Sequence, residues 1–233
     1  MTARFDKPMK PAEFAEKQLL SAILDGVFKP GDNLPGERIL ARDLGVTRPT
    51  LREILQRLAR EGWVTIAHGK PTRINDYLSQ GGLGVLTSLS RHGRHLSGEV
   101  VAGLLEVRTA LMPGAAQKAA ESAPGAILDL LAQAPETDAP AMARYDWDLQ
   151  MLLVQSAGNP ILNMIFNDFT PLYQVLGEEY FRQPKAIEAS LCFYKGLAGA
   201  TRAGDGKAVH DIVRSAMNRA QTLWQEMTCS EPN

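Results

Sequence analysis

The sequence predicts a mainly α-helical protein, with an N-terminal winged helix-turn-helix that carries a small β-hairpin wing and a C-terminal all-α helical bundle. Between residues 34 and 76, two segments with helical apolar spacing come first. Two short apolar runs follow, separated by a glycine-containing turn, and this is the order of a winged helix-turn-helix. From Glu99 onward the apolar spacing is helical throughout. We therefore divide the chain into residues 1–76, a connector over 77–97 and a bundle over 98–233.

Capping residues and apolar spacing give the expected bounds of the helices. These run over about 11–26, 37–45, 47–62, 99–120, 126–132, 141–157, 161–181, 184–204 and 205–227. The residues expected to face the core are Phe14, Leu19, Leu20 and Ile23 in the first helix, Ile39, Leu40 and Leu44 in the second, and Leu104, Leu105, Leu111 and Met112 in the first bundle helix. About six antiparallel helices in the C-terminal part are enough for a bundle with its own core.

The stretch Val46–Trp63 predicts one complete helix with two different faces. Thr47 is a suitable N-cap, Pro49 fits the first turn, and Gly62 suits a left-handed C-terminal position. The apolar positions spaced i, i+3, i+4 and i+7 are Leu51, Ile54, Leu55 and Leu58. This stripe predicts a buried back for the helix.

The opposite face of this helix is basic and suits a DNA major groove. Arg48, Arg52 and Gln56 stack at i, i+4 and i+8. Further polar residues on or near this face are Thr50, Arg57 and Arg60. Arginine reads guanine with two hydrogen bonds, and glutamine reads adenine. A solvated basic face would have the same composition, but the neighbouring segments favour a recognition helix.

Those neighbouring segments predict the rest of a winged helix-turn-helix. Upstream, a short helix ends at Gly45, which leaves a tight turn before the basic helix. Downstream, residues 63–66 and 72–74 predict two strands joined by a turn over 67–71. His68 and Lys70 occupy the tip of this wing, where they are expected to contact phosphates or enter a minor groove.

Here the sequence resembles a known family. The run LPGERILARDLGVTRPTLREILQRLAREGWVTIAHGKPTRIND resembles the winged helix of the GntR superfamily, and LREILQRLAREGW followed by HGKPT is most similar to the fatty-acid-responsive FadR group. The likeness continues at residues 156–160 (SAGNP), 180–181 (YF) and 193–194 (FY).

The resemblance implies a set of operator contacts in this chain. These are Arg38, Arg48, Thr50, Arg52, His68, Gly69 and Lys70. Pro49 stands where the group usually has a hydroxyl residue, so we expect one contact to be lost and the preferred operator to shift slightly.

Charge and composition agree with a cytoplasmic DNA-binding protein. The net charge is −1, but residues 1–76 hold 13 Lys and Arg against 10 Asp and Glu, so the basic excess lies in the expected DNA-binding part. No run of 18 apolar residues predicts a membrane span, and the first ten residues lack the apolar region of a secretory signal. Cys192 and Cys229 are the only cysteines, with no disulfide or metal spacing, which fits a reducing cytosol.

The sequence predicts no metal site. In the largest GntR branch with helical bundles, one Asp and three His bind a divalent metal; here Asp146 is present, but the matching later positions are Gln150, Tyr194 and Ala216. Without imidazole partners a lone Asp makes a poor transition-metal site. His92 and His95, three residues apart with no nearby acid or thiol, are interpreted as solvent-exposed histidines.

The FadR resemblance implies a long-chain acyl-CoA as the effector, with no cofactor. The residues at matching positions are Arg108, Tyr180, Tyr194, Arg214 and Trp224. An acyl chain would need a dry, apolar tunnel through the bundle, although plain core packing would also explain the aromatic residues. Met217, Arg219 and Ala220 replace a Gly, an acid and a Ser that border the CoA entrance in the group, which leaves the ligand's head group open.

Taken with the family, these features predict a homodimeric transcription regulator that binds a pseudo-palindromic operator. Acyl-CoA would move the connector, change the spacing of the two winged helices and release the DNA. By resemblance it represses fatty-acid degradation genes and activates synthesis genes. A GntR regulator of another small molecule, such as an organic acid, is the alternative. An enzyme is not expected, because the chain has no nucleophile elbow, phosphate-binding glycine loop or acid–His–nucleophile set.

Overall fold

A computed structural model describes residues 10–91, 97–135 and 138–229, and the chain divides into two compact units, Met1–His95 and Leu96–Asn233. The first unit contains α1 (Pro11–Leu24), α2 (Glu37–Asp43), α3 (Arg48–Glu61), β1 (Val64–Thr65), β2 (Arg73–Ile74), α4 (Tyr77–Gln80) and α5 (Leu83–Arg91). The second contains α6 (Gly98–Ser122), α7 (Pro124–Leu131), α8 (Ala139–Ser156), α9 (Pro160–Phe181), α10 (Pro184–Ala203) and α11 (Gly206–Cys229). His92 and His95 lie outside the described residues.

Helix α3 has the predicted ends and the predicted buried stripe. The Thr47 hydroxyl accepts a hydrogen bond from the backbone N–H of Thr50, and Gly62 ends the helix in the left-handed region with φ of +99°. Its four apolar positions, Leu51, Ile54, Leu55 and Leu58, are all buried. Arg48, Arg52 and Gln56 are thereby turned away from the core of the unit.

The wing is an antiparallel pair of short strands. Val64 pairs with Ile74 and Thr65 with Arg73, while an isolated bridge joins Arg73 to Asn33. The strands are shorter than predicted because Ile66, 47% exposed, has no strand partner and belongs to the turn. The chain reverses direction at Gly69, whose φ of +69° suits glycine.

Two predicted core residues are instead exposed. Phe14 is 51% exposed because α1 buries the stripe that begins at Ala15 and continues through Leu19 and Ile23. Ile39 is 42% exposed because α2, only seven residues long, buries Leu40 and Ala41. Both errors place the buried face about one residue away from its true position.

The segment after Asp76 packs against the N-terminal unit. The Tyr77 ring lies 4.7 Å from the buried Trp63 ring between centroids. In α5, Val85 and Leu89 are buried, and the Ser88 hydroxyl donates to the carboxylate of Glu61 at the end of α3. The segment predicted to be a partly helical connector is therefore helical over most of its length, and it shares the core of the first unit.

The second unit is a six-helix bundle within the described residues. Helix α6 packs along α11 and α8, α8 along α9, and α10 along α11. Three of its helices, α6, α9 and α11, have side-chain N-caps. Ser97, Asn159 and Asp205 each accept a hydrogen bond from a backbone N–H group of the following turn. In the part of the chain that the structure describes, no helix combines the length and apolar character that a membrane span needs.

The buried residues of α6 differ from the prediction over its first half. Met112 is buried as predicted, and the buried face of the helix continues with Ala115, Ala116 and Ala119. Leu104 and Leu105 are only half-buried, because they line a cavity within the bundle. This cavity and the polar face of α3 are the two candidate functional sites.

Candidate DNA-binding surface and effector cavity

A groove in the first unit is formed by the start of α2, the exposed face of α3 and the wing. Its charged and polar lining residues are Glu37, Arg38, Arg48, Arg52, Gln56, His68, Lys70 and Thr72, with Gly69 at the wing tip. More than half of the Arg48 and Arg52 side chains is exposed. The structure thus brings six of the seven predicted DNA contacts to one surface, hereafter the α3–wing groove.

The seventh predicted contact, Thr50, is not part of the groove lining. Its side chain is half-buried, and its hydroxyl lies 2.9 Å from that of Thr47. Arg57 is also placed differently, because its Nη2 lies 3.0 Å from Oε2 of the buried Glu16 on α1. Arg57 therefore joins two helices of the unit, whereas the sequence had assigned it to the DNA-facing side.

The sequence alone does not show that Glu37 lies within this groove. Its Oε2 accepts from Nε of Arg52 at 2.8 Å and lies 3.7 Å from Nη2 of Arg48. The sequence shows an acid at the start of α2, but this is common in the first turn of any helix. The contact becomes visible only when α2 and α3 are packed together.

The second unit contains a partly open cavity between its helices. Apolar side chains dominate its lining: Val101, Leu104, Leu105, Trp147, Phe169, Leu172, Leu176, Phe193 and Met217. Its polar lining comes from Arg108, Asp146, Tyr173, Tyr180, Ser190 and Arg219, and from Trp224. We refer to this space as the bundle cavity.

Three of the five predicted effector contacts line the bundle cavity, namely Arg108, Tyr180 and Trp224. Tyr194 is buried and reaches Asp146, a lining residue, through its hydroxyl. Arg214 is exposed on α11 and lies beside His210 in a separate groove, with Nη2 3.4 Å from the His210 ring nitrogen Nε2. Its side chain is therefore not placed with the other four.

Asp146 is the centre of a hydrogen-bonded cluster at the wall of the bundle cavity. Its Oδ1 accepts from the Tyr194 hydroxyl at 2.8 Å, and its Oδ2 accepts from Tyr173 and from the Gln150 side-chain amide. The Gln150 carbonyl in turn accepts from Nε of Arg108 at 3.1 Å. The guanidinium of Arg108 also lies over the Tyr173 ring, 5.2 Å from its centroid, which favours a fixed position for this cation.

Burial raises the pKa values of four tyrosines in this region. Desolvation, reinforced by the negative charge of Asp146, raises the pKa of Tyr180 to about 12 and that of Tyr145 to about 12. The same two causes raise the pKa of Tyr173 and of Tyr194 well above the ordinary value for tyrosine. These hydroxyls are therefore donors, to Asp146 or to a ligand.

Tyr173 is the residue of this cluster that sequence reasoning missed. It lies seven residues before Tyr180, so two turns of α9 place both on one face. This spacing was available in the sequence, but only the partners from α6 and α8 show that the ring bounds a cavity.

The positions compared with metal ligands do meet in space. Gln150 and Tyr194 both hydrogen-bond to Asp146, and Ala216 lines the same cavity. Neutral donors from the protein thus occupy the oxygens of Asp146. Within the described ranges, no group of three His, Cys, Asp or Glu side chains is arranged to hold a metal ion.

Two family models together match nearly all of the chain. Residues 11–74 match bacterial regulatory proteins of the gntR family, and residues 75–233 match the FadR C-terminal domain. Similar proteins include the fatty acid metabolism regulator protein of Cronobacter sakazakii, 38% identical over 228 residues, and that of Escherichia coli O1:K1 / APEC, 37% identical over 228 residues. Each alignment covers 97% of this chain and 95% of the relative.

These matches define the class of protein, a bacterial regulatory protein and not an enzyme. The chain belongs to the gntR family, in the branch that carries the FadR C-terminal domain. A similar solved structure is that of Lar, described as controlling the expression of the Listeria monocytogenes agr system, with a TM-score of 0.67 and 17% identity over 95% of this chain and 100% of that one. This likeness concerns the fold alone, and it confirms the predicted fold class.

Proposed function

We propose that this protein is a transcription regulator of fatty-acid metabolism that binds operator DNA through the α3–wing groove and is released by a long-chain acyl-CoA in the bundle cavity. Relatives named as fatty acid metabolism regulators, aligned over nearly the full chain, support the biological role. Repression of degradation genes and activation of synthesis genes belong to the same proposal. The single observation that carries the ligand proposal is a largely apolar cavity with a fixed cation and tyrosine hydroxyls in its wall.

The DNA half of the proposal rests on charge and exposure. Arg38, Arg48 and Arg52 are exposed in one groove beside a wing that carries Lys70. A recognition helix with arginines at its N-terminal end suits a major groove. We propose that two chains form a homodimer, so that two such helices read the halves of a pseudo-palindromic operator.

The ligand half rests on the chemistry of the bundle cavity. Leucine and phenylalanine side chains would contact an acyl chain, while Arg108 and Tyr180 would serve a polar head. The indole N–H of Trp224 is buried with no acceptor among the described residues, so it offers a donor to a thioester oxygen. A ligand with a long apolar tail and a polar end uses all three features.

An alternative head group is favoured by one specific residue. Arg219 lines the cavity, is exposed, and makes no ion pair within the described part of the chain. An unpaired guanidinium at this position suits a small organic acid or a free fatty-acid carboxylate as well as the phosphates of CoA. If Arg219 binds a carboxylate, the effector is an anion other than acyl-CoA.

A binding titration tests the proposal. A fluorescent promoter fragment from a fatty-acid degradation gene of the same genome is titrated with protein, alone and with oleoyl-CoA, oleate, free CoA or citrate. We expect oleoyl-CoA alone to lower the affinity. Release by citrate or oleate, with no effect of oleoyl-CoA, would establish the alternative effector. No preference for the promoter over a scrambled fragment would contradict the DNA-binding role.

A further inference from the structure

Glu37 lies among the expected base-reading residues although it carries the charge that DNA repels. It is the first residue of α2, and about one third of its side chain is exposed in the α3–wing groove. Its Oε2 accepts from Nε of Arg52 at 2.8 Å and lies 3.7 Å from Nη2 of Arg48. One carboxylate oxygen therefore holds two guanidinium groups that are about one helical turn apart on α3.

The contact to Arg52 determines which edge of its guanidinium remains available. A guanidinium carries five N–H donors in a planar fork. Glu37 engages the Nε edge, and the two Nη groups of Arg52 make no hydrogen bond within the described residues. A two-bond contact to guanine O6 and N7 needs a pair of parallel N–H groups, which the Nη atoms supply.

Glu37 would strengthen binding to a specific operator and weaken binding to random DNA. Holding a long arginine in place before DNA arrives removes part of the conformational entropy that base reading otherwise costs. The same carboxylate repels phosphates, so it weakens contacts that do not depend on sequence. Both effects increase the ratio of operator affinity to random-DNA affinity.

We infer that Glu37 is a positioning residue for sequence reading, which orients Arg52, and more loosely Arg48, toward base edges and disfavours random DNA. The inference rests on the proposed function, because it requires this groove to bind an operator. A role in folding alone would predict a change in stability with no change in the affinity ratio.

The test compares two acids of one helix. In Glu37→Gln the size is kept and the charge is lost, and we expect the ratio of promoter to scrambled-DNA affinity to fall about tenfold, with scrambled DNA bound more tightly than by wild type. Asp43→Asn removes the same charge from the other end of α2, where Asp43 pairs with the exposed Arg42 at 2.8 Å outside the groove. Its ratio should match wild type.

A second variant separates reach from charge. Glu37→Asp keeps the negative charge at the start of α2, so any favourable effect on that helix end remains. The carboxylate is one methylene shorter, so it should no longer hold Arg52, and the ratio should again fall. A wild-type ratio in Glu37→Asp would overturn the positioning role. This variant can be measured even if Glu37→Gln fails to fold.

A double-mutant cycle shows whether Glu37 acts through Arg52. In an Arg52→Ala background, Glu37→Gln should lower the ratio much less than it does in wild type. An equal fall in both backgrounds, or no fall in either, would overturn the inference while the DNA-binding role stands. A wild-type protein that binds promoter and scrambled DNA equally would instead contradict the proposed function itself, and the inference with it.

Discussion

The carboxylate of Asp146 is buried and held by neutral donors from three helices. Tyr194, Tyr173 and Gln150 all donate to it, and burial of an ionised group without such donors is strongly unfavourable. The same carboxylate, together with desolvation, raises the pKa values of the surrounding tyrosines. The stability of the bundle therefore depends on these hydroxyls remaining protonated.

The free energy of unfolding should fall as pH rises from about 10 to about 12. Tyr180 has its pKa raised, first by burial and then by the charge of Asp146, to about 12, against about 10 in an unfolded chain. A raised pKa means that the folded state binds the proton more tightly, so this contribution is complete below pH 10 and is lost as pH passes through 12. We estimate about 1–2 kcal/mol from Tyr180, after allowing for its partial exposure.

Urea unfolding at pH 8, 10 and 11 would measure this loss, with Tyr180→Phe as the comparison. The variant has no phenol to ionise at this position, so its stability should decline less steeply between pH 10 and 11 than that of wild type. Parallel declines in the two proteins would show that Tyr180 does not contribute to the alkaline transition.

Individual contacts could be predicted only where their partners are close in sequence. The Thr47 cap, the Asn159 cap and the buried stripe of α3 follow from spacing within one helix. The ion pair between Arg57 and Glu16 joins residues of different helices, so no local pattern showed it. The contact of Glu37 with Arg52 across fifteen residues was missed for the same reason.

The end of helix α3 is a close packing point between backbone segments. Gly62 adopts φ of +99°, and a Cβ placed on it would lie 3.0 Å from the Cα of Gly81. Two requirements therefore favour glycine here: the left-handed conformation and the absence of a side chain. This approach lets the chain after Asp76 return over α3.

Gly62→Ala should destabilise the first unit by about 2 kcal/mol or more, since it adds a steric contact to the roughly 1–2 kcal/mol cost of a left-handed alanine. Gly26→Ala is the matched control, because Gly26 has φ of +74° in the same unit with nothing within 4 Å of its Cβ position. It should show only the conformational cost.

Amide hydrogen exchange reports this effect locally, which suits a chain of two units in which unfolding need not be two-state. We expect faster exchange in α3 and α4 for Gly62→Ala than for Gly26→Ala. Equal exchange in the two variants would mean that the approach of Gly81 relaxes without cost.

Helix positions were predicted to within a few residues, whereas some of their faces were not. Asn159 and Asp205 mark helix starts through their own side chains, so the sequence contains the information. The exposure of Phe14 and Ile39 depends on which elements pack against their helices, and a short helix has two nearly equally apolar faces. The sequence predicts a connector after Asp76 because Trp63, which packs against the four-residue helix there, lies fourteen residues before Tyr77.

Each of the two compact units carries one of the proposed sites. The α3–wing groove lies wholly in the first unit and the bundle cavity wholly in the second. Among the described residues none lines both sites, so the proposed regulation links ligand binding in one unit to DNA binding in the other. Release would have to follow from a bundle state that binds the ligand well and is less compatible with DNA binding.

This linkage makes a prediction that direct competition by lipid aggregates does not. If oleoyl-CoA lowers operator affinity by some factor, typically about 5–150-fold, operator DNA must lower oleoyl-CoA affinity by the same factor. Calorimetric titration of oleoyl-CoA, below its critical micelle concentration, into protein with saturating promoter DNA measures the second factor. A scrambled fragment at the same concentration is the control and should leave the ligand affinity unchanged. An operator affinity that falls while ligand affinity is insensitive to DNA would rule out coupling between the two units and point to detergent-like disruption of the complex.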